Sequence, residues 1–112
     1  MSDCLFCKIV KKEIRSRIEH ETEKTFAFHD INPQAPFHVL IVPKKHFENV
    51  GAAGEGDKEL LGELLLEAKG IAVKNGWLDY RLVFNNGTQA GQTVFHAHLH
   101  LLAGRPMTWP PG

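Results

Sequence analysis

Three histidines alternate with single apolar residues near the end of the chain. His96, His98 and His100 are each two positions apart. Successive side chains of a β-strand point to opposite faces, so this spacing predicts a strand with all three imidazoles on one face, about 7 Å apart. Imidazoles are costly to bury without partners. We therefore predict that this face forms a site, whereas the opposite face packs in the core.

Two chemistries suit such a face. Alternate strand positions can bind one metal ion, as in catalytic zinc sites with three histidines, although the third histidine would lie about 13 Å from the first. Alternatively, the face binds a phosphate, and one imidazole attacks phosphorus while its neighbours donate hydrogen bonds. Gln92 and Thr93 enter the predicted strand, and Asn85 ends the neighbouring one. Their hydrogen-bond donors favour the phosphate interpretation.

The other periodicities predict an α+β fold. Apolar residues recur every three to four positions over residues 57–75, which predicts a long helix with Asp57 as its N-cap. A short N-terminal helix is predicted over residues 7–13. Apolar and β-branched runs predict strands over residues 25–29, 37–42, 81–84 and 93–102. Because strands and helices are segregated, we expect an antiparallel sheet of about five strands with the long helix on one face.

The composition excludes several classes of partner. The 112 residues suit a single domain over residues 1–112, and 13 basic side chains balance 13 acidic ones. With zero net charge, the chain lacks the excess of basic residues expected of a protein that binds long nucleic acid or an anionic membrane. Neither a signal segment nor a run of about 18 apolar residues is present, so we expect a cytoplasmic location. The two cysteines are then expected to be thiols or metal ligands.

The motif around the histidines resembles a known family. Residues 91–102, GQTVFHAHLHLL, are similar to the His-φ-His-φ-His-φ-φ motif of the histidine-triad family, where φ is apolar. Residues 28–38 and 42–46 also resemble that family, and residues 104–112 resemble its Hint branch, the nucleoside phosphoramidases. The resemblance implies a histidine-triad fold whose sheet continues across a homodimer.

The resemblance also implies a role for each matched residue. His98 corresponds to the nucleophile, which forms a nucleotidyl-histidine intermediate that water hydrolyses. His100 corresponds to a phosphate contact, and we expect His38 to orient the His98 ring from a neighbouring strand. Asp30 corresponds to the carboxylate that accepts from the ribose hydroxyls. The positions implied to hold the phosphate are Asn85, Gln92 and Thr93, and those implied to surround the purine are Phe6, Phe28, Ile31 and Leu40.

The Cys4-x-x-Cys7 pair indicates either a metal site or a redox couple. A closed tetrahedral zinc site needs two further ligands. The family resemblance implies that His46 and His96 supply them, that the zinc is structural, and that no organic cofactor is used. In the implied homodimer, the tail with Trp109 approaches the partner's active site and shapes the leaving-group pocket.

Together these expectations point to hydrolysis of purine nucleoside 5′-phosphoramidates, such as adenosine 5′-monophosphoramidate, to the nucleoside monophosphate. The short tail ending in WPPG favours this substrate class. Three alternatives stay open. They are hydrolysis of dinucleoside polyphosphates, a nucleotide-binding regulatory module without turnover, and a zinc hydrolase whose metal is bound by the three histidines.

Overall fold

The computed structural model describes residues 3–112, which contain five strands and two α-helices. In chain order the elements are α1 (Leu5–Val10), β1 (Ile18–Glu21), β2 (Thr25–His29), β3 (Phe37–Pro43), α2 (Lys58–Lys74), β4 (Tyr80–Phe84) and β5 (Leu99–Ala103). The strands form one antiparallel sheet in the order β1-β2-β3-β5-β4. This architecture confirms the predicted fold class. None of the helices within residues 3–112 is long and apolar enough to cross a membrane.

β3 lies at the centre of the sheet, and its alternating side chains separate two cores. Val39 and Ile41 point to the face that α2 covers, and they are fully buried there. Leu40 and Val42 point to the other face, where they pack with Phe6 of α1. The long helix therefore buries one face of the sheet. The opposite face is left to the short helix and to the pocket described below.

A row of residues crosses the sheet on the face opposite α2. Phe28 of β2 pairs with Leu40 of β3, which in turn pairs with His100 of β5. Directly opposed residues of paired strands lie on the same face. His38 faces the same way and pairs with Leu102. The strand register therefore brings two histidines and two large apolar side chains to one surface.

The last strand is shorter than predicted. β5 begins at Leu99, so the first two histidines of the motif precede it, and the prediction of one continuous strand over residues 93–102 is wrong. The neighbouring strand β3 ends at Pro43, which has no backbone N–H to donate. The N–H of Ala97 instead donates to the carbonyl of Phe47 at 2.8 Å. His96 and His98 thus precede the strand, but their imidazoles lie on the same side of the sheet as that of His100, since Phe6 contacts the first two rings and His98 contacts His100.

Other boundaries differ for local reasons. β1 was not among the predicted strands, because it is mostly exposed and gives no alternation of buried and exposed positions. Asp57 is the N-cap residue of α2 as predicted, but its carboxylate does not cap the helix, because it accepts from the N–H of Gly54 at 2.9 Å and from Lys45 Nζ at 2.6 Å. The first helix ends before the predicted limit of residues 7–13, since Lys12 adopts a φ of 64°.

Candidate active site and metal centre

A cavity of about 550 Å³ opens on the sheet face opposite α2, within the size range of small-molecule sites. Most of the site residues expected from the sequence line it. Its apolar lining includes Phe6, Phe28, Ile31 and Leu40, and its polar lining includes Asp30, His38, Thr93, His98 and His100. Ile31 is 97% exposed and forms the rim rather than the wall. We call this cavity the histidine pocket.

His98 is buried at the pocket with its tautomer fixed. Its Nδ1 lies 2.7 Å from the carbonyl oxygen of His96, which can only accept, so Nδ1 carries the proton. The lone pair is therefore on Nε2. Burial lowers the pKa of His98, which keeps the ring neutral. The edge of Phe6 packs on this ring with centroids 5.0 Å apart. A neutral, oriented imidazole with a free lone pair is suited to nucleophilic attack.

A chain of hydrogen bonds fixes the other two pocket histidines. The backbone N–H of Gln34 donates to His38 Nδ1 at 3.0 Å, so the proton of His38 is on Nε2. His38 Nε2 then donates to His100 Nδ1 at 2.9 Å, which places the His100 proton on its own Nε2. This atom is buried and has no partner within residues 3–112. Burial, followed by the neighbouring imidazoles of His98 and His38, lowers the pKa of His100 to about 4. His100 is thus a neutral donor available to a ligand.

The expectation that His38 orients the His98 ring is not met. His38 contacts His100 instead, with ring centroids 5.2 Å apart. The cause is the register of β3 and β5, which sets these two rings side by side on one sheet face. A carboxylate oxygen of Asp30 lies 3.5 Å from His38 Nε2, and the other accepts from the N–H of Asn32. Asp30 therefore stands at the pocket edge with acceptor capacity left.

Two of the expected phosphate contacts do not line the histidine pocket. Gln92 is 2% exposed, and its amide is already occupied. Its Oε1 accepts from the N–H of Gly87 at 2.8 Å, and its Nε2 donates to the carbonyls of Glu48 and Val94. Asn85 also lies outside the pocket lining. Gln92 therefore ties the preceding loops together, and Thr93 is left as the hydroxyl at the pocket.

Sequence reasoning missed several residues that line the pocket, and two of them show why. Ile9 lines the pocket one helical turn after Phe6, and the three-residue spacing within α1 could have indicated it. The second is Gln34, which holds the His38 tautomer through its backbone N–H. No side-chain pattern identifies such a contribution, because every residue except proline carries that donor.

Two cysteines and two histidines meet at the N-terminal end of α1. One ligand atom from each of Cys4, Cys7, His46 and His96 lies within 4.8 Å of all the others. The sulfur-to-nitrogen distances are 3.4 Å for Cys4–His96, 3.4 Å for Cys7–His46 and 3.5 Å for Cys7–His96, and the two Nδ1 atoms are 3.1 Å apart. Tetrahedral zinc with ordinary bond lengths requires about 3.5 Å between S and N and about 3.3 Å between two N atoms. The four side chains therefore fit one tetrahedral ion.

The orientation of His96 supports the same conclusion. Its Nε2 donates to the carbonyl of Pro43 at 2.8 Å, so the lone pair of Nδ1 points at the cluster. Metal-binding imidazoles usually donate their second nitrogen to a carbonyl or carboxylate in this way. Burial lowers the pKa of His96 to about 4, which keeps the ring neutral and able to bind a cation. This cluster, defined as Cys4, Cys7, His46 and His96, is named the metal centre below.

Comparison with known proteins identifies the family. Residues 11–107 match the family model of the HIT domain. The chain belongs to the HIT family. It is 53% identical to an uncharacterised HIT-like protein of Synechocystis, with 98% of this chain and 97% of the relative covered. It is also 50% identical to a 14 kDa zinc-binding protein of Zea mays, with 99% of this chain and 89% of the relative covered.

A solved structure shows that the likeness extends over the whole HIT fold. The crystal structure of a HIT family hydrolase from Legionella pneumophila matches with a TM-score of 0.96 and 50% identity. The match covers 98% of this chain and all of the other. The membership predicted from the histidine motif is thus confirmed, and the fold is that of a HIT protein called a hydrolase.

The buried amide of Gln92 gives a test of its assignment. Gln92→Leu should lower the free energy of unfolding by about 2–4 kcal/mol, because it leaves the N–H of Gly87 and two carbonyls without their partner. Gln89→Leu is the matched control at an exposed position and should change stability by less than about 0.5 kcal/mol. Urea unfolding followed by circular dichroism measures both. Equal stabilities for the two variants would mean that the amide does not hold the loops.

Proposed function

We propose that this HIT protein hydrolyses the P–N bond of purine nucleoside 5′-phosphoramidates, such as adenosine 5′-monophosphoramidate, as a member of the Hint branch. One observation carries the proposal. The lone pair of His98 Nε2 is fixed in a pocket that also holds the N–H of His100, which has no partner within residues 3–112, and the two ring centroids are 4.9 Å apart. A nucleophile beside a free donor suits attack on a phosphoryl group.

In the first step, Nε2 of His98 attacks the α-phosphorus in line with the leaving nitrogen. A His98–phosphorus bond forms, the P–N bond of the substrate breaks, and the departing nitrogen takes up a proton from solvent. The ring of His98 becomes positively charged as the bond forms, and the carbonyl of His96 stabilises that charge by accepting from Nδ1. His100 Nε2–H and the hydroxyl of Thr93 donate to the phosphoryl oxygens.

In the second step, water attacks the same phosphorus from the side that the amine has left. The His98–phosphorus bond breaks, one proton of the attacking water passes to solvent, the nucleoside monophosphate departs, and His98 recovers its neutral form. The depressed pKa values of His98 and His100 favour this recovery, since both rings are unprotonated near neutral pH. No group other than water and substrate is consumed.

The remainder of the pocket is suited to a purine nucleoside. Phe6, Phe28 and Leu40 form an apolar wall, against which a flat base can bury a large area. Asp30 keeps a carboxylate oxygen at the edge of this wall, where it can accept from ribose hydroxyls. The pocket thereby offers separate apolar, acceptor and donor regions for base, ribose and phosphate.

We also propose that the metal centre holds a structural zinc ion. Four of the six interligand distances are given above and match tetrahedral zinc, and the maize relative is called a zinc-binding protein. Zinc bound there would cross-link α1 to the segments that carry His46 and His96. The ion is closed off by four protein ligands, so it would leave no open position for a substrate.

A two-fold dimer would complete the leaving-group pocket. β4 is an edge strand, and a strand of a second copy can extend the sheet there. Arg81 of β4 donates to the carbonyl of Thr108 at 2.8 Å and holds the tail at this edge. Trp109 is 84% exposed in the single chain, which suits an aromatic ring that covers the partner's pocket.

The nucleophile is tested by substitution. His98→Ala should lower phosphoramidate turnover by roughly three orders of magnitude or more, because no other group replaces the attacking nitrogen. The variant should still bind adenosine monophosphate. His20→Ala is the control, since that imidazole is exposed on β1. Release of monophosphate measures the rate, and mass spectrometry should find an acid-labile nucleotidyl adduct on His98. Retained activity, or an adduct on another residue, would contradict the assignment.

Zinc occupancy is tested by elemental analysis of protein purified without chelators. We expect about one zinc ion per chain, bound by two sulfurs and two nitrogens. Cys7→Ser should lose most of the metal, because serine is a poor zinc ligand, whereas His20→Ala should retain it. Protein without zinc, or an oxidised Cys4–Cys7 pair in freshly purified protein, would contradict the zinc proposal.

The tail is tested by changing one aromatic side chain. Trp109→Ala should alter the relative rates on phosphoramidates with different amines more than it alters the affinity for adenosine monophosphate, because the ring contacts only the leaving group. Thr108→Ala is the control, since its carbonyl still accepts from Arg81. Sedimentation at micromolar concentration should show a dimer. A monomer under these conditions, or unchanged relative rates, would rule this role out.

A further inference from the structure

The short helix α1 carries both cysteines of the metal centre in its first turn. Cys4 is the N-cap of α1, and its sulfur accepts from the backbone N–H of Cys7 at 3.4 Å. α1 has 6 residues, whereas an isolated helix needs about 12–15 to be even marginally stable in water. The position of α1 therefore depends on contacts outside the helix. Bonds from both sulfurs to one ion would supply such contacts.

Phe6 lies between the two cysteines and faces the histidine pocket. Its ring packs edge-on against His98 at 5.0 Å and against Phe28 at 5.3 Å between centroids. It also contacts the ring of His96, a metal-centre residue, at 6.1 Å. One buried side chain thus touches the proposed nucleophile, the proposed purine wall and the metal centre.

A second path joins the same two sites through the backbone. His96 contributes Nδ1 to the metal centre, and its carbonyl accepts from His98 Nδ1 at 2.7 Å. The two residues precede β5, so the strand ladder does not hold them in place. The backbone N–H of Ala97 anchors the segment to the carbonyl of Phe47, and the side chain of His96 adds a bond to Pro43 and its place in the metal centre.

We infer that Phe6 is a positioning residue that couples the metal centre to the nucleotide site, so that zinc and a purine nucleotide each raise the affinity for the other. Zinc fixes α1 and so holds the Phe6 ring against His98 and Phe28. A purine on that wall holds Phe6 in turn, and with it the two sulfurs on either side. The inference rests on the proposed function, because it requires a purine nucleotide in the histidine pocket.

The coupling is measured with adenosine monophosphate as the probe. Calorimetry on the zinc-loaded full-length chain and on chelator-stripped protein should give a dissociation constant about tenfold weaker without zinc, within the usual range for coupled sites. Linkage requires the converse with the same factor. Zinc affinity, measured by competition with a chromophoric chelator, should therefore tighten by that factor at saturating adenosine monophosphate.

Two variants separate coupling from general loosening of α1. Phe6→Ala should bind the nucleotide weakly, and zinc should change its affinity clearly less than the tenfold expected for the wild type, because only the backbone path through His96 is left. Val10→Ala is the control, since this side chain packs α1 onto the same core but does not line the pocket. It should keep the zinc dependence of the wild type. If Val10→Ala loses the dependence while Phe6→Ala keeps it, the role assigned to Phe6 is wrong.

A third measurement needs no stripped protein. Zinc transfer from the loaded wild type to excess chelator should be slower with saturating adenosine monophosphate than without it, because most differences in affinity appear in the dissociation rate. Equal transfer rates, together with equal nucleotide affinities of the loaded and stripped forms, would overturn the coupling and leave the proposed function standing. Failure of both the loaded and the stripped forms to bind adenosine monophosphate would overturn the proposed function and this inference with it.

Discussion

The pairing of β3 with β5 fixes the floor of the histidine pocket. Because Leu40 stands directly opposite His100, the third histidine of the motif faces away from α2 and joins the row that begins at Phe28. A shift of one residue in this register would turn His100 into the core beneath α2, where its imidazole would displace an apolar side chain. The hydrogen bond between His38 and His100 depends on this alignment.

Desolvation of the pocket histidines determines their protonation state. Burial lowers the pKa values of His38, His98 and His100, and it does so more than neighbouring charges oppose it. Neutral imidazoles each carry one proton, so a single fixed donor or acceptor sets the tautomer of a whole ring. The carbonyl of His96 and the N–H of Gln34 are those fixed groups, and both belong to the main chain.

Much of the fold was predictable from the sequence. The run of β-branched and aromatic residues over 37–42, ended by Pro43, indicated β3, which is buried on both faces. The three-to-four spacing over residues 57–75 indicated α2, because its apolar residues are buried on one side. β1 has no buried face and left no such signal. The predicted last strand began too early, because alternation of apolar and polar residues predicts a strand even where no neighbouring strand supplies hydrogen bonds. Here the neighbour β3 ends at Pro43, so residues 93–98 have no strand within residues 3–112 to pair with.

Most residues of the candidate site were predictable from the sequence, but the hydrogen-bond partners of these residues were less so. The motif led to the pocket histidines and to the four residues of the metal centre. The partner of His38 was mistaken because register between distant strands cannot be counted from the motif. Gln92 was mistaken because an amide next to a phosphate motif and an amide that joins two loops are identical in sequence, and only burial distinguishes them.

The hydrogen-bond chain that ends at His100 begins at a backbone amide, and this has a consequence for how the site tolerates mutation. Side-chain replacement at position 34 leaves the N–H in place, so an alanine scan would pass over the residue that orders two imidazoles. Only proline removes the donor. The tautomers of His38 and His100 are thus unaffected by nearly every single substitution at position 34. Sequence variation at that position would therefore hide the structural role of its backbone N–H.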